Sequence, residues 1–239
     1  MRASVEIQSY GATQALSFGV DAIDNRLAHG GLDACGVHEA SPASTTLGDD
    51  AAATLFWAGA AARFAGDTGH VVWALTRFDL YAPGLEQAGL APDRTLYVEA
   101  KDETTVLAVA EDCLRDGSFA AVVAEVKAAD QTATRRLQLA AADGKTPMLM
   151  LRRWKKAGRD PLEAPSSAMT RWRIGCAPSV HLGHPGVGRP CWSLELVRQR
   201  GGNPFSLIVE ACDDTGRLAL PSAAPDRAAA QGSAAVRAA

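Results

Sequence analysis

Four short apolar runs recur along the chain: VVWALT at 71–76, TLYVE at 95–99, AAVVAEV at 120–126 and PMLML at 147–151. They lack the polar alternation of a half-solvated strand, so they predict strands buried on both faces, as in parallel sheets covered by helices. The segments between them supply the helices. After Asp102, residues Val106, Val109, Ala110 and Cys113 recur at i, i+3, i+4 and i+7, and Ala133, Leu137, Ala140 and Ala141 follow the helical spacing at i, i+4, i+7 and i+8. Each stripe would pack on the sheet. Beyond residue 168 the pattern turns β-rich, with TRWRIG, CWSLELVRQR and FSLIVEA, and the GGNP between the last two is the turn signal of an antiparallel pair. The expectation is a mixed α/β domain with a mostly parallel sheet flanked by helices and a late antiparallel hairpin.

Composition narrows the function classes. A chain of 239 residues with 47% hydrophobic content can bury one substantial core. A formal charge of -3 gives no global commitment to nucleic acid or to an anionic membrane. The first residues, MRASVEIQSYGATQALSFG, contain no apolar signal region, and no apolar run approaches the roughly 18 residues of a membrane span, so a cytoplasmic location is expected. Five scattered cysteines without CxxC spacing predict neither a disulfide framework nor a zinc site, and His181 and His184 in HLGH lack a nearby carboxylate or cysteine cluster. No Gly-x-Ser-x-Gly elbow occurs, and Cys113 lies within an apolar helical stripe, so neither offers a nucleophile. No metal or cofactor is expected. The tail 222–239 is rich in alanine and has almost no large apolar residue, which predicts a segment disordered in isolation that folds on a partner.

Three segments carry a resemblance. LSFGVDAIDNRLAHGGLDACGVHEAS, residues 16–41, resembles the start of RecA-like ATPase cores, with an amphipathic helix bearing Val20, Ile23 and Leu27 before a Gly-Gly-Leu turn. LYAPGLEQAGLAPDRTLYVEA and WSLELVRQRGGNPFSLIVE resemble later parts of that core, so the similarity spans roughly residues 13–212. Within that superfamily YAPGLEQAGL, RWRIGCAPS and above all GRPCWSLELVRQRGGNP at 188–204 resemble the ImuA family. The resemblance implies an N-terminal segment (1–15), a RecA-like domain (16–221) and the tail. It also implies a non-enzymatic accessory of mutagenic translesion synthesis whose partner is ImuB, an inactive Y-family polymerase homologue, with RecA as a further candidate and a homo-oligomer as the alternative to packing of the N-terminal segment on its own sheet. The alternatives are an ATPase with an atypical phosphate loop, drawing its lysine from elsewhere, and a cell-division inhibitor of the SulA kind. The late block favours ImuA.

The site residues follow from this frame. EASPASTTLGDDAAATLF, residues 39–56, stands where a phosphate loop would stand, and such a loop needs clustered glycines, a lysine and a hydroxyl. From Ser41 to Asp50 there is one glycine and no lysine; Ser44, Thr45 and Thr46 offer hydroxyls, while Asp49 and Asp50 occupy the place of the lysine and its neighbour. Two carboxylates repel a triphosphate. Their other reading is a helix cap with favourable first-turn charges, each contributing up to about 1 kcal/mol. Near Leu75 and Thr76 no residue replaces the catalytic glutamate of the superfamily, and Glu125 is either a remnant of its magnesium-holding acid or a solvated strand end. Arg152, Arg153, Trp154, Lys155 and Lys156 form a basic burst around an aromatic ring, a candidate for weak single-stranded DNA contact through phosphate neutralisation and base stacking. The alternative is a solvated strand end with Trp154 against the sheet edge.

Overall fold

A computed structural model describes residues 7–10, 13–155, 159–180 and 186–221. The tail 222–239, Lys156, His181 and His184 lie outside them. In chain order the elements are β1 (Ile7–Tyr10), β2 (Thr13–Leu16), α1 (Asp21–Asp24), β3 (Leu32–Asp33), β4 (Val37–Pro42), α2 (Leu47–Ala65), β5 (Val71–Leu75), α3 (Ala82–Gln87), β6 (Thr95–Glu99) and α4 (Glu103–Asp116). There follow β7 (Ala121–Val126), α5 (Gln131–Gly144), β8 (Met148–Arg152), β9 (Thr170–Ala177), β10 (Cys191–Gln199) and β11 (Phe205–Glu210).

Eight strands form the main sheet in the order β11-β10-β9-β4-β8-β7-β5-β6. From β9 to β6 every neighbour pair is parallel, whereas β10 pairs antiparallel with both β9 and β11. The expected mixed sheet and late hairpin are both present. Side chains alternate across the sheet, so each central strand feeds two cores. Val123, Leu149 and Leu151 pack with Phe56 and Trp57 of α2, while Val122, Ala124, Met148 and Met150 pack under α4 and α5.

One strand departs from the expected double burial. β6 is the outermost strand beside β5, its residues are half-buried or exposed, and Leu96 is 53% exposed. An apolar run reports a strand but not its place in the sheet order, and the end position leaves one flank without a neighbour.

Local chemistry explains the helix limits. Asp102 and Asp130 cap α4 and α5 by accepting from the backbone N–H of Thr105 and Ala133, each at 2.7 Å. α4 stops at Gly117, whose φ of 71° suits glycine, and at Gly144 the backbone of α5 lies against the Leu114 carbonyl so closely that an added Cβ would sit 1.7 Å from that oxygen. The amphipathic stripe Val20, Ile23 and Leu27 is buried as expected, yet α1 is a single turn. Asp24 holds the chain before it by accepting from the Ser17 hydroxyl and the Phe18, Gly19 and Val20 N–H groups, at 2.7 to 3.1 Å. β1, β2 and β3 form a separate small sheet; β2 crosses the expected boundary at residue 15, and Leu16 and Phe18 belong to the main core. Phe18 lies 5.9 Å from Phe56 and 5.7 Å from Trp172, ring centre to ring centre.

Candidate functional site

The carboxyl ends of the parallel strands open onto a cleft of about 620 Å³, the position where open α/β sheets bind ligands beside a reversal of strand order. Five segments line it: the β4–α2 loop and α2 start with Ser44, Thr45, Leu47 and Asp50, the loop after β5 with Thr76, Arg77 and Asp79, the α4 start with Glu103, the end of β7 with Glu125 and Lys127, and the end of β8 with Arg153, Trp154 and Lys155. The sequence-derived phosphate-loop, Glu125 and basic segments therefore do meet, although they are far apart in the chain.

The β4–α2 loop is closed by its own side chains. Thr46, and not an aspartate, caps α2, accepting from the Asp49 N–H at 3.3 Å. The Asp49 carboxylate accepts from the Ser44 hydroxyl at 2.5 Å with one oxygen and from the Cys176 backbone N–H at 2.7 Å with the other, tying the loop to β9. Ser41 is fully buried, its hydroxyl turned to the Pro42 carbonyl at 3.3 Å. Free N–H groups at a helix start attract anions. Here the protein's own Asp49 and Asp50 stand in that first turn.

Arg153 joins the two sides of the cleft. Its guanidinium pairs with Asp50 and donates to Glu125 from Nε and Nη2 at 3.0 and 2.9 Å. Glu125 is not a solvated strand end. It is 8% exposed, and its other oxygen accepts from Trp73 Nε1 at 2.7 Å. Burial pushes its carboxyl above the usual carboxylate range, while the Arg153 charge and the Trp73 and Arg153 hydrogen bonds pull the other way. Trp154 turns its indole N–H to the Pro42 carbonyl at 2.8 Å, at the end of β4.

The basic burst is split by the strand it terminates. Arg152 is 2% exposed and donates inward, to Glu39 at 3.3 Å and to the Ala129 and Pro161 carbonyls. Arg153 is engaged as above, so neither guanidinium is a free surface charge for DNA; of the five burst residues Lys155 is the exposed cation among the described residues. Glu39 was not anticipated as a focus of structure. Wholly buried in β4, it also binds Arg171 at 2.7 Å and the Ser166 hydroxyl at 2.8 Å. The available signal was a carboxylate between Val37 and Ala40 in a short strand, since a buried carboxylate requires partners. Arg77, Asp79 and Lys127 were also missed, because their loops carry no shared motif. Among the described residues no group of three or more His, Cys, Asp or Glu side chains is placed to hold a metal, and no helix is long and apolar enough to cross a membrane.

Fold and cleft together define a mixed α/β protein whose principal strand-to-helix loop is bound by its own carboxylates. No protein-family model matches the chain. Protein ImuA of Caulobacter vibrioides, strain NA1000 / CB15N, is 39% identical over 211 residues, covering 83% of this chain and 84% of the relative, and Protein ImuA of a second strain of that species matches equally. The chain belongs to the ImuA family. Among solved structures, SulA from Pseudomonas aeruginosa is similar at 24% identity and a TM-score of 0.41, covering 49% of this chain and 97% of that one.

Proposed function

We propose that the protein is a non-catalytic accessory of DNA-damage-induced mutagenic translesion synthesis, acting in the cytoplasm on a RecA-like scaffold through an ImuB-like Y-family polymerase homologue and RecA. Membership of the ImuA family supports the pathway. The observation that carries the non-catalytic part is the Asp50–Arg153–Glu125 bridge, in which the carboxylate beside the expected phosphate loop and the acid at the expected magnesium position both bind the same guanidinium. Phosphoryl transfer depends on positioned cations around the γ-phosphate. An arginine already neutralised by two carboxylates supplies little of that charge, and the loop offers one glycine where several backbone N–H groups must converge.

The test has two arms. The purified protein should give no saturable magnesium-ATP heat in calorimetry at millimolar nucleotide. Co-expressed ImuB-like protein should co-purify with it, and loss of the gene should abolish damage-induced mutation in the host. The ATPase reading survives in one specific form, since Lys127 and Lys155 line the cleft from outside the loop. Saturable ATP binding lost in K127A/K155A would establish that reading and overturn the first.

A further inference from the structure

Every carboxylate of the cleft already has a partner. Asp50 and Glu125 share Arg153, Asp79 pairs with Arg77 at 2.5 Å, and Glu103 accepts from the Ala128 N–H at 3.1 Å. The cations are not all engaged. Lys127 and Lys155 are exposed on the lining of the same cleft and have no hydrogen-bond or ion-pair partner among the described residues. On the same lining, as the first residue of α2, stands Leu47, 88% exposed. An isobutyl group so open to water at the lip of a cleft contributes nothing to the fold and gains on being covered.

We propose that this cleft docks an acidic, extended segment of a protein partner, one or two of its carboxylates lying on Lys127 and Lys155 and one apolar side chain covering Leu47. The inference rests on the accessory reading above and locates its partner contact. Charge complementarity favours a peptide over nucleic acid. The cleft's charged lining is balanced, with Arg77, Lys127, Arg153 and Lys155 facing as many carboxylates, and a polyanion needs a surplus of positive charge along its length. Two localised ammonium groups beside a leucine match a short segment with few charges. Trp154, the aromatic residue of the cleft lining among the described residues, is half-buried with its indole N–H bound to the Pro42 carbonyl, and is not free to serve as a stacking platform.

The experiment compares full-length wild type with K127E/K155E and with Leu47→Ser. All three positions are exposed, so the melting temperature should be unchanged. Three ligands are used in biolayer interferometry at two salt concentrations: the purified ImuB-like protein, a synthetic acidic peptide carrying a single leucine, and a labelled single-stranded oligonucleotide. The double charge reversal should weaken the ImuB-like protein and the peptide by about tenfold or more, mostly through faster dissociation and with reduced salt sensitivity, and Leu47→Ser should weaken both severalfold. Wild-type-like binding of the peptide and the ImuB-like protein to K127E/K155E overturns the proposal while leaving the accessory role standing. Failure of wild type to bind the ImuB-like protein sinks that functional reading separately, and the peptide arm then still decides the cleft. Loss of oligonucleotide binding alone in the double variant makes the cleft a nucleic-acid site and overturns the peptide assignment.

Discussion

Arg153, the first residue after β8, reaches Glu125 near the end of β7 with two guanidinium nitrogens, at 3.0 and 2.9 Å, while the same group holds Asp50 at the start of α2. Two strands and a helix are thereby joined across the mouth of the cleft by one side chain. Both nitrogens converge on one Glu125 oxygen, Trp73 holds the other, and burial of Arg153 and Glu125 removes most of the solvent screening that makes surface pairs weak. Removing one partner therefore leaves a buried charge behind. Arg153→Met should lower unfolding free energy by about 3 kcal/mol, and the double variant R153M/E125L should recover part of that loss. Urea midpoints of wild type, Arg153→Met, Glu125→Leu and the double variant give the coupling; a stability of Arg153→Met within experimental error of wild type would refute the bridge.

Asp49 is the second fastening of the same loop, through Ser44 and the Cys176 N–H. Asp49→Ala should cost about 1–2 kcal/mol, because the Cys176 N–H loses its acceptor. Amide hydrogen exchange should quicken at Cys176 while remaining as in wild type at the centre of the sheet. Equal protection of Cys176 in both proteins would show that the carboxylate does not hold β9.

A pH dependence follows from His38. The ring is fully buried between the Thr170 hydroxyl at 2.7 Å and the Asp33 carbonyl at 2.9 Å, an arrangement that suits a neutral imidazole with Nε2–H donating to the carbonyl and Nδ1 accepting from the hydroxyl. Burial pushes its pKa down from 6.5 to about 4, against the opposing hydrogen bond to Asp33. A depressed folded-state value means that the unfolded chain takes up the proton first as pH falls. The stability contributed by neutral His38 is complete above pH 6.5 and declines toward pH 4, by about 2 kcal/mol at pH 5. Urea melts at pH 7 and 5 should show this decline in wild type and a smaller one in His38→Gln. Identical slopes would remove His38 as the cause.

Gly144 tests the packing of α5 on α4. Because a Cβ there would sit 1.7 Å from the Leu114 carbonyl oxygen, one backbone must move, and Gly144→Ala should destabilise by about 3 kcal/mol. In contrast, Gly48→Ala meets only the Cys176 sulfur, at 3.3 Å, and should be nearly neutral. Thermal melts of the pair make the comparison, and a Gly144→Ala protein as stable as Gly48→Ala would show that the helices are not in contact there.

Much of this architecture is a local property of the chain. A strand buried on both faces is apolar at most of its positions, a helix on a sheet repeats its apolar residues at helical spacing, and GGNP forces a turn; hence β5, β7, β8, α4, α5 and the β10–β11 hairpin are legible in order, as are the absent lysine and missing glycines of the β4–α2 loop. What the side chains do with one another depends on which strands become neighbours, and no periodicity carries that. Arg153 and Asp50 are 103 positions apart, and their pairing exists because the sheet order brings the end of β8 beside the start of α2. The same order leaves β6 at an edge despite its apolar run. Arg152 and Lys155 read alike as basic residues at a strand end, yet strand alternation and the buried Glu39 on the adjacent strand draw the first inward, while the second, beyond the strand, stays in water. Sequence alone determined which residues could form the sheet and which phosphate-binding groups are missing; the tertiary structure decided where the charges went, because the Coulomb partner of a side chain is chosen by distance in space and not by distance along the chain.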